Sequence, residues 1–255
     1  MCPLTWLDLG IFAAAMGVAA LGLWVLQRFV PHPLREVHNH VAGFIFATVG
    51  VIYAVLLAFV VISVWTGVDA ARQTTFREAD ALAGVYWISR DLPLPLGSQI
   101  EHLTLDYANT VEGTEWPLME QHRSSPQATQ EVYGIRDAVL SYQPTTPQQQ
   151  VLYDHALTHV EQLASERRAR LNQVEDSVPP ILWGALIVGA VLTIAFTYLF
   201  GLSNTLAHAL MVLSLTALVV VSLILIREMN YPFGGVTRVE PTAFQVFLQR
   251  LPPPR

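Results

Sequence analysis

From Val41 to Thr66 the chain runs 26 residues without a charged side chain. As a helix rising 1.5 Å per residue, this run is about 39 Å long. That exceeds the ~30 Å hydrocarbon core of a bilayer, so the helix must tilt or project beyond it. No proline follows it, and Gly67 is a weak breaker. The pattern from Val68 to Asp91 stays helical, which predicts continuation into water. Three other apolar runs are long enough to span: Leu9–Leu26, Ile181–Phe200 and Ala209–Ile226. Pro179 and Pro180 suit the N-terminus of the third helix. The short polar loop 201–208 joins the last two into a hairpin.

Composition agrees. Only 13% of the 255 residues are charged and 53% are hydrophobic, against about 25% charged in ordinary soluble domains. All 14 basic residues are arginine, 20 residues are acidic, and the net charge is −6. A mildly acidic chain without a basic tract argues against nucleic-acid binding. Cys2 is the only cysteine, which excludes a disulfide framework and a cysteine-rich metal site. A cleaved signal would need a basic leading region. The first eight residues offer Asp8 and no arginine, so the first run is expected to be an uncleaved span.

Residues 67–180 separate spans two and three and hold 16 acids and 8 arginines. Their apolar residues recur with helical rather than strand spacing. Ile100, Leu103, Tyr107, Val111 and Leu118 form one stripe. Leu152, Ala156, Val160, Leu163, Leu171 and Val174 form another. Breakers at 93–97, 124–126 and 144–147 predict helices near 68–91, 97–122, 128–141 and 147–177. Single-striped helices pack as a bundle. The expected fold is therefore an all-α membrane protein with four transmembrane helices and a cytoplasmic helical bundle between spans two and three. The divisions are 1–66, 67–180, 181–226 and 227–255.

Arginines near span ends favour one side. Arg72, Arg77, Arg167, Arg168, Arg170, Arg227 and Arg238 lie with the insert and both termini, and only Arg28 and Arg35 lie opposite. The positive-inside rule then makes the termini and the insert cytoplasmic, with a bacterial inner membrane as the expected setting.

Several phrases have a recognisable order: FREADALAGVY at 76–86, with Glu78; Glu115–Trp116–Pro117; RRARL at 167–171, with Arg167 and Arg170; PILW at 180–183, with Trp183; and YPFGG at 231–235, followed by Val239–Glu240–Pro241. Together they resemble the bestrophin-like domain family across roughly residues 40–248. The resemblance to bestrophins, which are pentameric anion channels, implies a homo-oligomeric ring and chloride or other small anions as permeant ions. Pro232, Phe233 and Gly234 resemble the turn that precedes the calcium-binding acidic segment of bestrophins. Here the following residues read GVTRVEP. Glu240 and Glu228 supply too few oxygens for calcium, which wants six to eight. The phenylalanine-rich neck of bestrophins has no clear counterpart in span two.

Within span two, Phe44, Thr48, Val51, Val55 and Phe59 recur at helical spacing, as a pore-lining or a packing stripe would. Apart from Asp8 at an edge, no span carries a charge. That argues against a proton-coupled transporter but not against a pore of hydrophobic and small polar groups. Gly184 and Gly189 suit close helix packing.

Arg167, Arg168 and Arg170 can pair along their helix with Glu161, Glu166 and Glu175. They could instead meet anionic lipid or steer anions, and their place in the motif makes an internal pair with Glu78 or Glu115 plausible. His155 and His159 share a helix face four residues apart, but HALTH lacks a catalytic glutamate and a third ligand. His32, His38 and His40 crowd the loop PHPLREVHNH, where they could sense pH or bind a metal, or simply line the interface. No phosphate loop, nucleophile elbow or dinucleotide fingerprint is present, so neither an enzyme nor a cofactor is expected. The leading expectation is an ion channel lined by span two. The alternative is a non-conducting membrane scaffold or sensor whose helical bundle binds a partner.

Overall fold

The computed structural model describes residues 6–30, 35–36, 39–175 and 177–252. His32 and His38 lie outside the described residues. In chain order the helices are α1 (Trp6–Phe29), α2 (Asn39–Ser89), α3 (Leu96–Thr110), α4 (Trp116–Met119), α5 (Pro126–Leu140), α6 (Pro147–Glu175), α7 (Pro180–Tyr198), α8 (Thr205–Met229) and α9 (Thr242–Arg250). Among the described residues there is no strand. Among the described residues, four helices, α1, α2, α7 and α8, are long and apolar enough to cross a membrane.

Two compact units emerge: residues 1–65 with 177–230, and residues 66–176 with 231–255. In the first unit, the ring of Tyr53 on α2 packs directly against the backbone of α7 at Gly189. A Cβ at that glycine would collide with the tyrosine ring. Tyr53, Ala190 and Val219 are buried together there. Tyr198 donates its hydroxyl to the Ala19 carbonyl at 3.0 Å. Carbonyls at the end of α7 and just after it, which no intrahelical N–H can reach, are covered by Arg35 and by Asn39, the first residue of α2. Arg35 donates to the carbonyls of Tyr198 and Phe200, each at 3.2 Å. Asn39 exchanges two bonds with the Gly201 backbone, at 2.9 and 3.0 Å. Asp8, in the first turn of α1, is buried and accepts from Arg227 at 2.6 Å. Each charge also lies at the helix end whose dipole favours it.

In the second unit α2 contributes Ala71, Leu82, Val85 and Tyr86 to one core with α3, α5, α6 and α9. As the sequence pattern predicts, α2 continues past Gly67 and runs on to Ser89. The single helix expected over 97–122 does break. After Thr110 the backbone widens into a π-helical turn, Val111–Glu115, closed by the Trp116 N–H on the Val111 carbonyl. Pro117 explains the widening. In an unbroken α-helix its ring would press on the carbonyl of residue 113 and leave that carbonyl without a donor. The extra residue in the turn carries Glu115 and Trp116 to the inside, while Gly113 and Thr114 stay exposed. Ser125 then caps α5, accepting the Ala128 N–H at 3.3 Å, with Pro126 in the first turn.

Candidate functional site

The five stripe residues of α2 all point away from their own chain. Phe44 is 78% exposed and Phe59 68% exposed, Val51, Val55 and Thr48 are exposed too, and Thr48 returns its hydroxyl to the Phe44 carbonyl at 3.2 Å. The buried face of this helix is the opposite one, with Ala42, Tyr53, Val60 and Val64. An exposed face this apolar is stable only against lipid, another chain or a dewetted path.

In the second unit the residues singled out from the motifs converge. Arg170 is fully buried and grips Glu78 with two parallel bonds: Nε to Oε2 at 2.6 Å and Nη2 to Oε1 at 2.9 Å. Its Nη2 also reaches Glu115 Oε2 at 2.8 Å, and its Nη1 points to the Met119 sulfur at 2.9 Å. Arg167 meets the other oxygen of Glu115 at 2.5 Å. Glu115 further accepts the Ser125 N–H at 3.0 Å, and Tyr107 donates its hydroxyl to Glu78 at 2.5 Å. Two acids and two arginines thus cancel in a dry core. Such a group is tolerable because every charge is paired and hydrogen-bonded. The pairing along α6 with Glu161, Glu166 and Glu175 is not what forms. Arg167 and Arg170 fall on the buried face of α6 with Ala156, Val160, Leu163 and Val174, so they must find charges deep in the bundle. Glu166 instead takes Arg77 of α2 at 3.3 Å.

Burial works against the Arg170 charge, yet Glu78 more than compensates and holds its pKa well above the ordinary value. Burial, reinforced by the Glu78 charge, pushes the Tyr107 hydroxyl well above its usual range. Tyr107 was legible only as a member of an apolar stripe. Its one polar atom became part of the charge group because the stripe faces Glu78.

The aromatic motif residues roof this group. Arg170 lies 5.3 Å from the centre of the Trp116 ring. Trp116 meets Phe233 edge-to-face at 5.6 Å and donates its indole N–H to the Val239 carbonyl at 3.0 Å. The turn at Pro232–Gly234 closes through Gly234 N–H to Tyr231 O at 3.0 Å and Val239 N–H to Pro232 O at 2.8 Å. Gly235, at φ 72°, takes the left-handed position of this turn. Its neighbours do not fit a calcium ion. Arg238 lies where acids would be needed, bonding Glu240 at 2.9 Å and Glu120 at 2.5 Å, and its pKa is raised chiefly by the hydrogen bond to Glu240.

Of the remaining residues, Pro117 is exposed and Trp183 partly buried in α7. His40 and His155 are exposed. The His159 ring lies flat against Gly84 of α2, where a Cβ would strike it, and its Nδ1 is buried without a partner. No three potential metal ligands gather among the described residues.

Comparison with known proteins bears on the fold and the family. No curated protein matches the chain. Among solved structures, a mutant form of a bacterial bestrophin homologue from Klebsiella pneumoniae superposes with a TM-score of 0.72 at 13% identity, covering 93% of this chain and 96% of that one. A second structure of the Klebsiella homologue gives 0.70 at 13% identity with the same coverage. A structure described only as a membrane protein gives 0.70 at 13% identity, covering 97% and 96%. At such identity these likenesses establish the fold. A family model of the bestrophin-like domain matches residues 13–244, and the chain therefore belongs to the bestrophin-like domain family.

Proposed function

We propose that this chain is one protomer of a homo-oligomeric ion channel in which the membrane part of α2 lines the conducting path. The observation that carries the reading is the α2 stripe, which stays exposed from Phe44 to Phe59 while the opposite face does the packing. Four spans are too few to enclose a path within one chain, so a ring of copies with closed symmetry would be required. The stripe would then form a narrow, mostly apolar passage, with Thr48 as a small polar step. Hydrophobic constrictions of this kind gate by wetting and dewetting. The lipid bilayer would cover the other apolar faces, and the second unit would lie on the cytoplasmic side with both termini. The role is non-enzymatic. The bestrophin resemblance alone makes small anions the permeant ions, in a pentameric ring.

The test uses the full chain in detergent and then in liposomes. A ring-sized mass with a KCl leak that Thr48→Trp or Val55→Trp abolishes is the expected result. A monomer or dimer with no leak overturns it and leaves a membrane scaffold or sensor, whose helical unit binds a partner.

A further inference from the structure

Arg35 differs from the buried charges described above. Arg167, Arg170, Glu78, Glu115 and Asp8 are buried, and each meets an opposite charge. Arg35 is 8% exposed, yet it takes no salt bridge among the described residues. Both of its bonds run from Nη1 to neutral carbonyls, those of Tyr198 and Phe200. The dipole of α7 supplies about half a negative charge at that end, so the guanidinium is only partly compensated, and burial works against its charge. The end of α7 does not depend on this cation alone. His208 covers the Thr197 carbonyl and Asn39 the Gly201 carbonyl. The Arg35 Nε is buried without a partner, and its Nη2 takes no bond among the described residues. Nε and Nη2 form the edge whose two parallel N–H groups grip Glu78 in Arg170. In Arg35 that edge is unused, and it fits a two-oxygen anion.

We propose that Arg35 binds a phosphate group on its Nε–Nη2 edge, supplied by a phospholipid headgroup or by a free phosphate. The acid that this buried cation needs then comes from outside the chain. Arg35 lies between α1 and α2, and its acceptors lie at the end of α7. The site is therefore at one end of the apolar helices, where headgroups lie if those helices span a bilayer. Phe29, Val41, Leu199 and Leu206 flank the same connections and are each half exposed or more. Apolar side chains for acyl chains beside a cation for a phosphate are what a phospholipid matches, as basic pockets between membrane helices hold acidic headgroups. This rests on the four helices being spans and is independent of whether the chain conducts.

The experiment is thermal unfolding of the full chain in phosphate-free maltoside detergent. The additions are phosphatidylglycerol, a glycolipid with the same acyl chains and no phosphate, and inorganic phosphate. Phosphatidylglycerol should raise the melting temperature by a few degrees over the glycolipid, since a ligand of the folded state stabilises it. R35Q should lose that difference. R35K should keep part of it, because the charge remains without the fork. R28Q, which removes an exposed arginine at the end of α1, should keep it whole. An equal gain from inorganic phosphate assigns the site to a free anion, and a gain from the lipid alone assigns it to a headgroup. A wild type that gains no more from phosphatidylglycerol than from the glycolipid overturns the proposal. So does an R35Q that melts lower in every mixture but keeps the difference, the behaviour of a helix cap, or an R28Q that loses as much as R35Q. If R35Q does not fold, the wild type and R35K decide. Ion flux enters none of these readings, so failure here leaves the channel standing.

Discussion

The two units solve opposite solvation problems. In the first, the outward surface is apolar: Phe44, Ile52, Trp65, Ile181 and Leu218 are each more than half exposed. Its buried members include small and polar side chains such as Ala190, Thr193, Thr197, Thr216 and His208. In the second, the outward surface carries Asp69, Arg72, Glu161 and Arg168, while the interior holds a neutral group of four charges. Against hydrocarbon, burial of apolar surface gives little drive, and close approach of backbones at small residues matters more. Gly189 under the Tyr53 ring is such an approach. In water, apolar burial is the main drive, and a paired charge group adds specificity at the cost of dehydration.

The sharpest way to break this comparison is to remove one charge from the buried group. Arg170→Met leaves Glu78 and half of Glu115 without their cation in a dry core and should cost about 3–5 kcal/mol, read as a large drop in the denaturation midpoint. Arg170→Lys should rescue only part, since a point charge cannot replace the two-pronged grip on Glu78.

A packing change in the membrane unit comes next. Gly189→Val drives a branched side chain into the Tyr53 ring and should cost about 1–3 kcal/mol, measured as earlier thermal aggregation in detergent. Gly189→Ala should show the same sign to a smaller degree.

Tyr107→Phe removes one donor from Glu78 and should cost about 1–3 kcal/mol at neutral pH. Its pH dependence separates hydroxyl from ring. The folded-state pKa of Tyr107 is raised, so its contribution is complete below the unfolded value of about 10. That contribution is lost as pH climbs through the folded value. Denaturation midpoints across pH 8 to 12 should therefore show the gap between wild type and Tyr107→Phe narrowing at the alkaline end.

The smallest effect is expected at the surface. Arg238→Ala breaks half-exposed pairs with Glu120 and Glu240 and should cost about 0.2–1 kcal/mol, fading in high salt. The turn at Pro232–Gly234 should keep its form, because Phe233 and the Trp116 indole anchor it from within.

The sequence by itself determined the four apolar helices, the long run of α2 past Gly67 and the apolar faces of α3 and α6. All of these follow from chain-local periodicity, which a helix turns directly into a face. Only the tertiary structure decided what the buried charges meet. Arg170 finds Glu78 and Glu115 across 92 and 55 residues of chain, and Asp8 finds Arg227 across 219. Helical spacing offered Arg167 and Arg170 nearer partners on α6, and nothing local distinguishes an exposed pair from a desolvated one. The choice was made by burial: an arginine on the packed face of α6 cannot keep its hydration, so it must be where a carboxylate from another helix is also denied water.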